Sequence, residues 1–127
     1  MVKTALVDVD LQRGKEVLDL VLRANLKVSV ALWLYTSEYE DWRLVLSGKA
    51  FDGLGLRDAY RLLNETIHKG GIDVDQTPTI MIRPISDPFI KGLRRIFAKA
   101  KSVEGMRLGG QTIGDRFIDE AYVYRIS

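Results

Sequence analysis

The chain contains no cysteine. That excludes disulfides, thiolate zinc sites and cysteine nucleophiles, and it suits a reducing compartment. With a single histidine, His68, there is little material for imidazole-based metal sites or acid–base catalysis. No window approaches the roughly 18 consecutive apolar residues of a membrane span. The N-terminus does not read as a signal peptide, because the apolar run after Lys3 is interrupted at Asp8. The expectation is a cytoplasmic protein without a membrane partner. A net charge of +2 is too small in itself to imply a polyanionic partner.

What is present is the composition of one globular domain spanning residues 1–127, 46% hydrophobic and 28% charged. The charge is unevenly placed. Between Arg83 and Arg107 stand seven bases and two acids, so this stretch is net positive while the remainder of the chain is net negative.

Apolar spacing predicts a helix over Leu11–Leu26, with Val17, Leu18, Val21 and Leu22 inward and Asp10 as its N-cap. "KVSVALWLYT" alternates as a strand, with Val28, Val30, Leu32 and Leu34 on one face, and "WRLVLSGKAF" returns as its hairpin partner. Placing Tyr35 opposite Trp42 sets Trp33 against Leu44, Ala31 against Leu46 and Leu32 against Val45. Both faces of the hairpin are then apolar, which calls for cover on each side, by helices or by an oligomer contact.

A second helix spans Leu56–His68, with Leu56, Ala59, Tyr60, Leu63 and Ile67 inward, and Gly70 or Gly71 ends it. "PTIMIRP" is a short strand bounded by prolines, as at a sheet edge. The helix over 87–102 has Asp87 as N-cap, Pro88 at its first position, and Phe89, Ile90, Leu93, Ile96 and Phe97 as its buried stripe. One or two glycine-broken strands follow, ending in "AYVYRI". The fold class is α/β of the α+β type: one domain, a mixed sheet of about five strands, three helices, in the order (β)-α-β-β-α-β-α-β-β with the first strand optional.

Five features invite a functional reading. In "LVDVD", Asp8 and Asp10 would share a face if a strand ran through them, and two carboxylates at a strand end can hold magnesium for a nuclease or phosphatase. The pattern resembles the Asp-x-Asp of haloacid-dehalogenase-like phosphatases but has Gln12 where they carry Thr or Val. Asp73 and Asp75 repeat the spacing in a loop, so a helix start is the better account. Secondly, Lys91, Arg94, Arg95 and Lys99 form a cationic helix face suited to phosphates or an acidic partner. Thirdly, Trp33, Tyr35, Tyr39, Trp42, Tyr122 and Tyr124 cluster on strands. They read first as packing, and as a protein interface if exposed, with base stacking beside Arg107, Arg116 and Arg125 a weaker idea.

Fourthly, "GGQTIGDR" lacks the lysine and following helix of a phosphate loop and reads as a hairpin. Lastly, His68 closes a helix without a visible nucleophile. No cofactor is called for. The reading is a small non-enzymatic interaction or regulatory domain, acting on a protein partner or as a homodimer through Trp33, Tyr35, Trp42, Tyr122 and Tyr124. The alternative is a nucleic-acid-binding protein using the 87–102 helix, and the third reading is a magnesium enzyme using Asp8 and Asp10.

Overall fold

The computed structural model describes residues 5–38 and 40–127, so Lys3 and Tyr39 lie outside the described residues. The first helix, α1, is Asp8–Arg23 and starts three residues earlier than the apolar spacing predicts. Its cap is Val7, in extended backbone, and the Asp10 carboxylate reaches back to accept the Val7 N–H at 3.1 Å. Asp10 therefore secures the helix start from inside the first turn, not as the N-cap. No strand precedes α1 among the described residues, and Asp8 is already helical. The strand-end setting for the two aspartates is corrected accordingly, while residues 1–4, where the optional first strand would begin, lie outside the described residues.

Strands β1 (Val30–Thr36) and β2 (Asp41–Ser47) pair antiparallel in the register that the hydrophobic pattern dictates, Tyr35 opposite Trp42 and Leu32 opposite Val45. Val28 lies ahead of β1 and packs on the other face from Val30, Leu32 and Leu34. Strand β2 stops at Ser47 instead of continuing through Phe51. Gly48 passes so close to the Lys27 carbonyl that a Cβ would collide with it, and the chain turns into a short helix, α2 (Lys49–Asp52), which buries Phe51. This helix is the one the sequence pattern misses, making four among the described residues where three were expected.

Helix α3 (Leu56–Lys69) keeps Ala59, Leu63 and Ile67 inside, but Leu56 in its first turn is exposed. A 3-10 turn at Val74–Gln76 leads to β3 (Ile80–Ile82), which runs parallel to β2 at the sheet edge. The backbone N–H of Ile82 donates to the Tyr60 hydroxyl at 2.9 Å, so α3 caps part of this edge. Helix α4 (Pro88–Phe97) begins at Asp87, whose carboxylate accepts the Phe89 N–H at 2.9 Å, and it ends well before residue 102. Ile96 points outward, 53% exposed, because the helix rests on the sheet through Phe89, Ile90 and Leu93. Strands β4 (Arg107–Ile113) and β5 (Arg116–Ile126) form a hairpin turning at Gly114, whose φ of 63° favours glycine.

The sheet is mixed, in the order β3-β2-β1-β5-β4. Helices α1, α2 and α3 cover one face over Ala31, Trp33, Trp42, Leu44 and Leu46. Helix α4 covers the other over Val30, Leu32, Leu34, Val45 and Val123. The two apolar faces of the hairpin are thus both covered by helices of the same chain, and each fully buried Leu, Ile or Val there is worth about 1.5–3 kcal/mol of transfer free energy. Where β1 meets β5 the register slips: Ala31 faces Arg125 but Leu32 faces Val123. Tyr124 is the extra residue of this bulge, and its ring joins the core beneath α1.

Candidate functional site

The bulge places Tyr124 where three elements meet. The indole N–H of Trp33 donates to the Tyr124 hydroxyl at 2.9 Å, and that hydroxyl donates to the Leu11 carbonyl of α1 at 2.5 Å. Gly14 of α1 leaves room for them: a Cβ there would stand 2.5 Å from the hydroxyl oxygen and 2.7 Å from the indole nitrogen. Burial pushes the Tyr124 hydroxyl up to about 12; the Trp33 bond opposes this, and Tyr122 and Asp10 add to it. Around this centre Tyr122 meets Tyr124 edge-on at 5.4 Å, Arg107 lies over the Tyr122 ring at 5.2 Å, and Tyr35 packs on Trp42 at 5.6 Å.

Of the aromatic residues read from the sequence as interface candidates, Trp33, Trp42 and Tyr124 are buried within the chain, while Tyr35 and Tyr122 are half-buried. The condition of exposure attached to that reading is not met by the first three. Their covering by α1 and α3 also leaves no open sheet face there for stacked bases.

Beside this aromatic centre lies a cleft of about 380 Å³. Val9, Asp10 and Arg13 of α1 form one side, Trp33, Asp41 and Trp42 come from the β1–β2 hairpin, and residues 75–79 close the other side. Both Asp-x-Asp stretches therefore contribute one carboxylate, Asp10 and Asp75, to a single cleft, and Asp41 supplies a third. Asp8 does not line it. Arg13 is held by Glu16 at 2.9 Å, and Asp41 accepts its neighbour's backbone N–H, that of Trp42, at 2.8 Å. Trp42 is 3% exposed, and its indole N–H, itself sealed from solvent, has no hydrogen-bond partner among the described residues. Among the described residues no three His, Asp or Glu side chains are placed to hold one metal ion.

The cationic residues sit on the opposite face of the sheet. Lys91 and Arg95 are exposed on α4, Lys99 follows just beyond its end, and none of the three enters an ion pair among the described residues. Arg94 behaves differently: its Nε–H donates to the Ser127 carbonyl at 2.8 Å and ties the end of β5 to the helix. Asp119 accepts the Ser37 N–H at 3.2 Å and so braces the β1–β2 turn. His68 is exposed in the last turn of α3. Gly109, Gly110 and Gly114 lie in the β4–β5 hairpin, as their spacing without a phosphate-loop lysine implies.

Sequence reasoning singled out Asp10 and the Asp75 repeat but did not join them, and it missed Arg13 and Asp41 as partners. The two stretches stand 65 positions apart, and only the packing of α1 beside the 75–79 segment brings them together. No protein-family model, curated protein or solved structure matches the chain. Among the described residues no helix is long and apolar enough to cross a membrane.

Proposed function

We propose that the chain is a non-enzymatic interaction domain that receives an acidic protein segment on the outer face of α4. The observation that carries this reading is the set of exposed cations Lys91, Arg95 and Lys99, none of them paired with a carboxylate among the described residues. An acidic partner would break no existing pair on arrival, so the electrostatic gain is not offset by a lost internal one. Ile96 stands 53% exposed on the same helix and offers the apolar contact that interface centres need. The basic stretch around α4, set against a net-negative remainder, gives an approaching acidic surface a preferred side. A homodimer built on this face would have to bring it to the acidic remainder of a second copy, in a head-to-tail arrangement.

The same cations could meet phosphates, so the decisive experiment separates the two. Tagged protein is recovered from its host with and without nuclease, and its companions are tested against a Lys91→Glu/Arg95→Glu variant. A stoichiometric protein partner that survives nuclease and is lost from the variant supports the proposal. A nucleic acid removed by nuclease, with affinity falling linearly on a log–log salt plot, would replace it. A partner indifferent to both substitutions would place the interface elsewhere and refute this reading.

A further inference from the structure

Independently of the outer face of α4, we propose that the β4–β5 hairpin joins two copies of this chain in a two-fold symmetric dimer. Helices α1, α2 and α3 cover the sheet over β1 and β2, and on β5 their cover reaches only Tyr122 and Tyr124. Within the hairpin, Leu108, Ile113, Ile118, Ala121 and Val123 turn to the α4 side and pack there. The residues that alternate with them are left on the opposite face: Arg107, Gly109 and Thr112 of β4, and Phe117, Glu120 and Tyr122 of β5. The alternation resets at Gly110, whose φ is 67°, so both ends of the hairpin keep their apolar residues toward α4. Five of the six outward residues are exposed and Tyr122 is half-buried; Phe117 is 58% exposed.

The pairing itself names the occupant. The register sets Arg107 beside Tyr122, Gly109 beside Glu120 and Thr112 beside Phe117. A two-fold axis running along the hairpin, between its strands, lays β4 of one copy over β5 of the other. Each residue keeps its level along the strands in that rotation. Phe117 therefore comes over the smaller Thr112 of the second copy, and Glu120 over its Gly109, where no side chain stands in the way. Arg107 lies next along the same face of β4, so it meets Glu120 of the second copy, and symmetry makes this contact twice. Neither Arg107 nor Glu120 enters an ion pair within its own chain among the described residues. The face carries one base and one acid around aromatic rings, so it matches a copy of itself better than a partner of one charge sign. The helices do not obstruct this arrangement. They stand toward the β3 side of each sheet, and the rotation carries the second set past the β4 edge.

The whole chain is followed by sedimentation equilibrium over a range of concentrations, and a species of twice the mass of one chain is expected. Phe117→Asp changes a side chain that the fold leaves in water, and it should weaken the dimer about tenfold or more. Arg107→Glu and Glu120→Arg should each weaken it by a similar factor, because either homodimer then opposes like charges twice. An equimolar mixture of these two variants should recover the dimer, because the mixed pair opposes an acid to a base at both contacts. Loss of fold in either variant would not be reversed by mixing. A wild-type chain that stays monomeric up to about 1 mM would overturn the proposal. So would a dimer indifferent to Phe117→Asp, or single variants whose mixture fails to recover it. A dimer lost instead in Lys91→Glu/Arg95→Glu would place the contact on α4 and overturn it as well.

Discussion

Replacing Tyr124 by phenylalanine tests the centre of the fold by removing one oxygen. That oxygen accepts the Trp33 indole N–H and donates to the Leu11 carbonyl, so its loss strands a donor on a side chain only 4% exposed. An unsatisfied buried donor costs about 1–3 kcal/mol. The ring stays, so no large cavity is added, and the expected loss is about 2 kcal/mol. Against a total stability of about 5–15 kcal/mol for a domain this is a large fraction. Urea unfolding followed by tryptophan fluorescence should show the midpoint falling with the slope unchanged. Tyr122→Phe is the control, because its hydroxyl makes no hydrogen bond among the described residues, and it should change stability by less than about 0.5 kcal/mol.

The same group sets a pH signature. With the folded hydroxyl pushed up to about 12 from an ordinary 10, the fold favours the neutral phenol. Its contribution is complete below pH 10 and is lost as pH rises from there towards 12. The difference in stability between wild type and Tyr124→Phe should shrink over that window. A Tyr124→Phe loss below about 0.5 kcal/mol at neutral pH would refute the bridging role assigned to this hydroxyl.

Three further outcomes follow from particular contacts. Gly14→Ala should destabilise, although alanine is the better helix former by about 1 kcal/mol, because its methyl would overlap the Tyr124 hydroxyl and the Trp33 indole; a raised melting temperature would contradict this packing. Tyr60→Phe uncovers the Ile82 N–H at the sheet edge and should cost about 1 kcal/mol, with faster amide exchange confined to β3 in hydrogen-exchange measurements. Asp87→Ala removes the α4 cap and should cost about 1 kcal/mol by urea unfolding, and Asp87→Asn should recover most of it.

Much of the architecture is legible in the chain because alternation and helical spacing are strong local signals. The β1–β2 register follows from matching apolar residues, and the start of α4 follows from Asp87 and Pro88. What escapes is set by contacts distant in sequence. Nothing local says that β2 must stop at Ser47; the Lys27 carbonyl behind Gly48 does. Ile96 continues a helical stripe by spacing, yet α4 rests on the sheet through Phe89, Ile90 and Leu93, with Phe97 packed at the edge of that core, so Ile96 is left facing water. The bulge at Tyr124 is equally invisible, since "AYVYRI" alternates without a break and only pairing with β1 leaves one residue over. The cleft fails to appear for the same reason: its carboxylates belong to α1, β2 and the turn before β3, each unremarkable alone.

These differences share one physical cause. Strand β1 lies at the middle of the sheet and is covered on both faces, so its aromatic and branched side chains, together with those of β2, are used in packing. A sheet closed on both sides leaves its polar chemistry to strand ends and to the outer faces of its helices. That is where both candidate sites lie: an acidic cleft at the start of β2 and a cationic surface on α4, separated by the sheet.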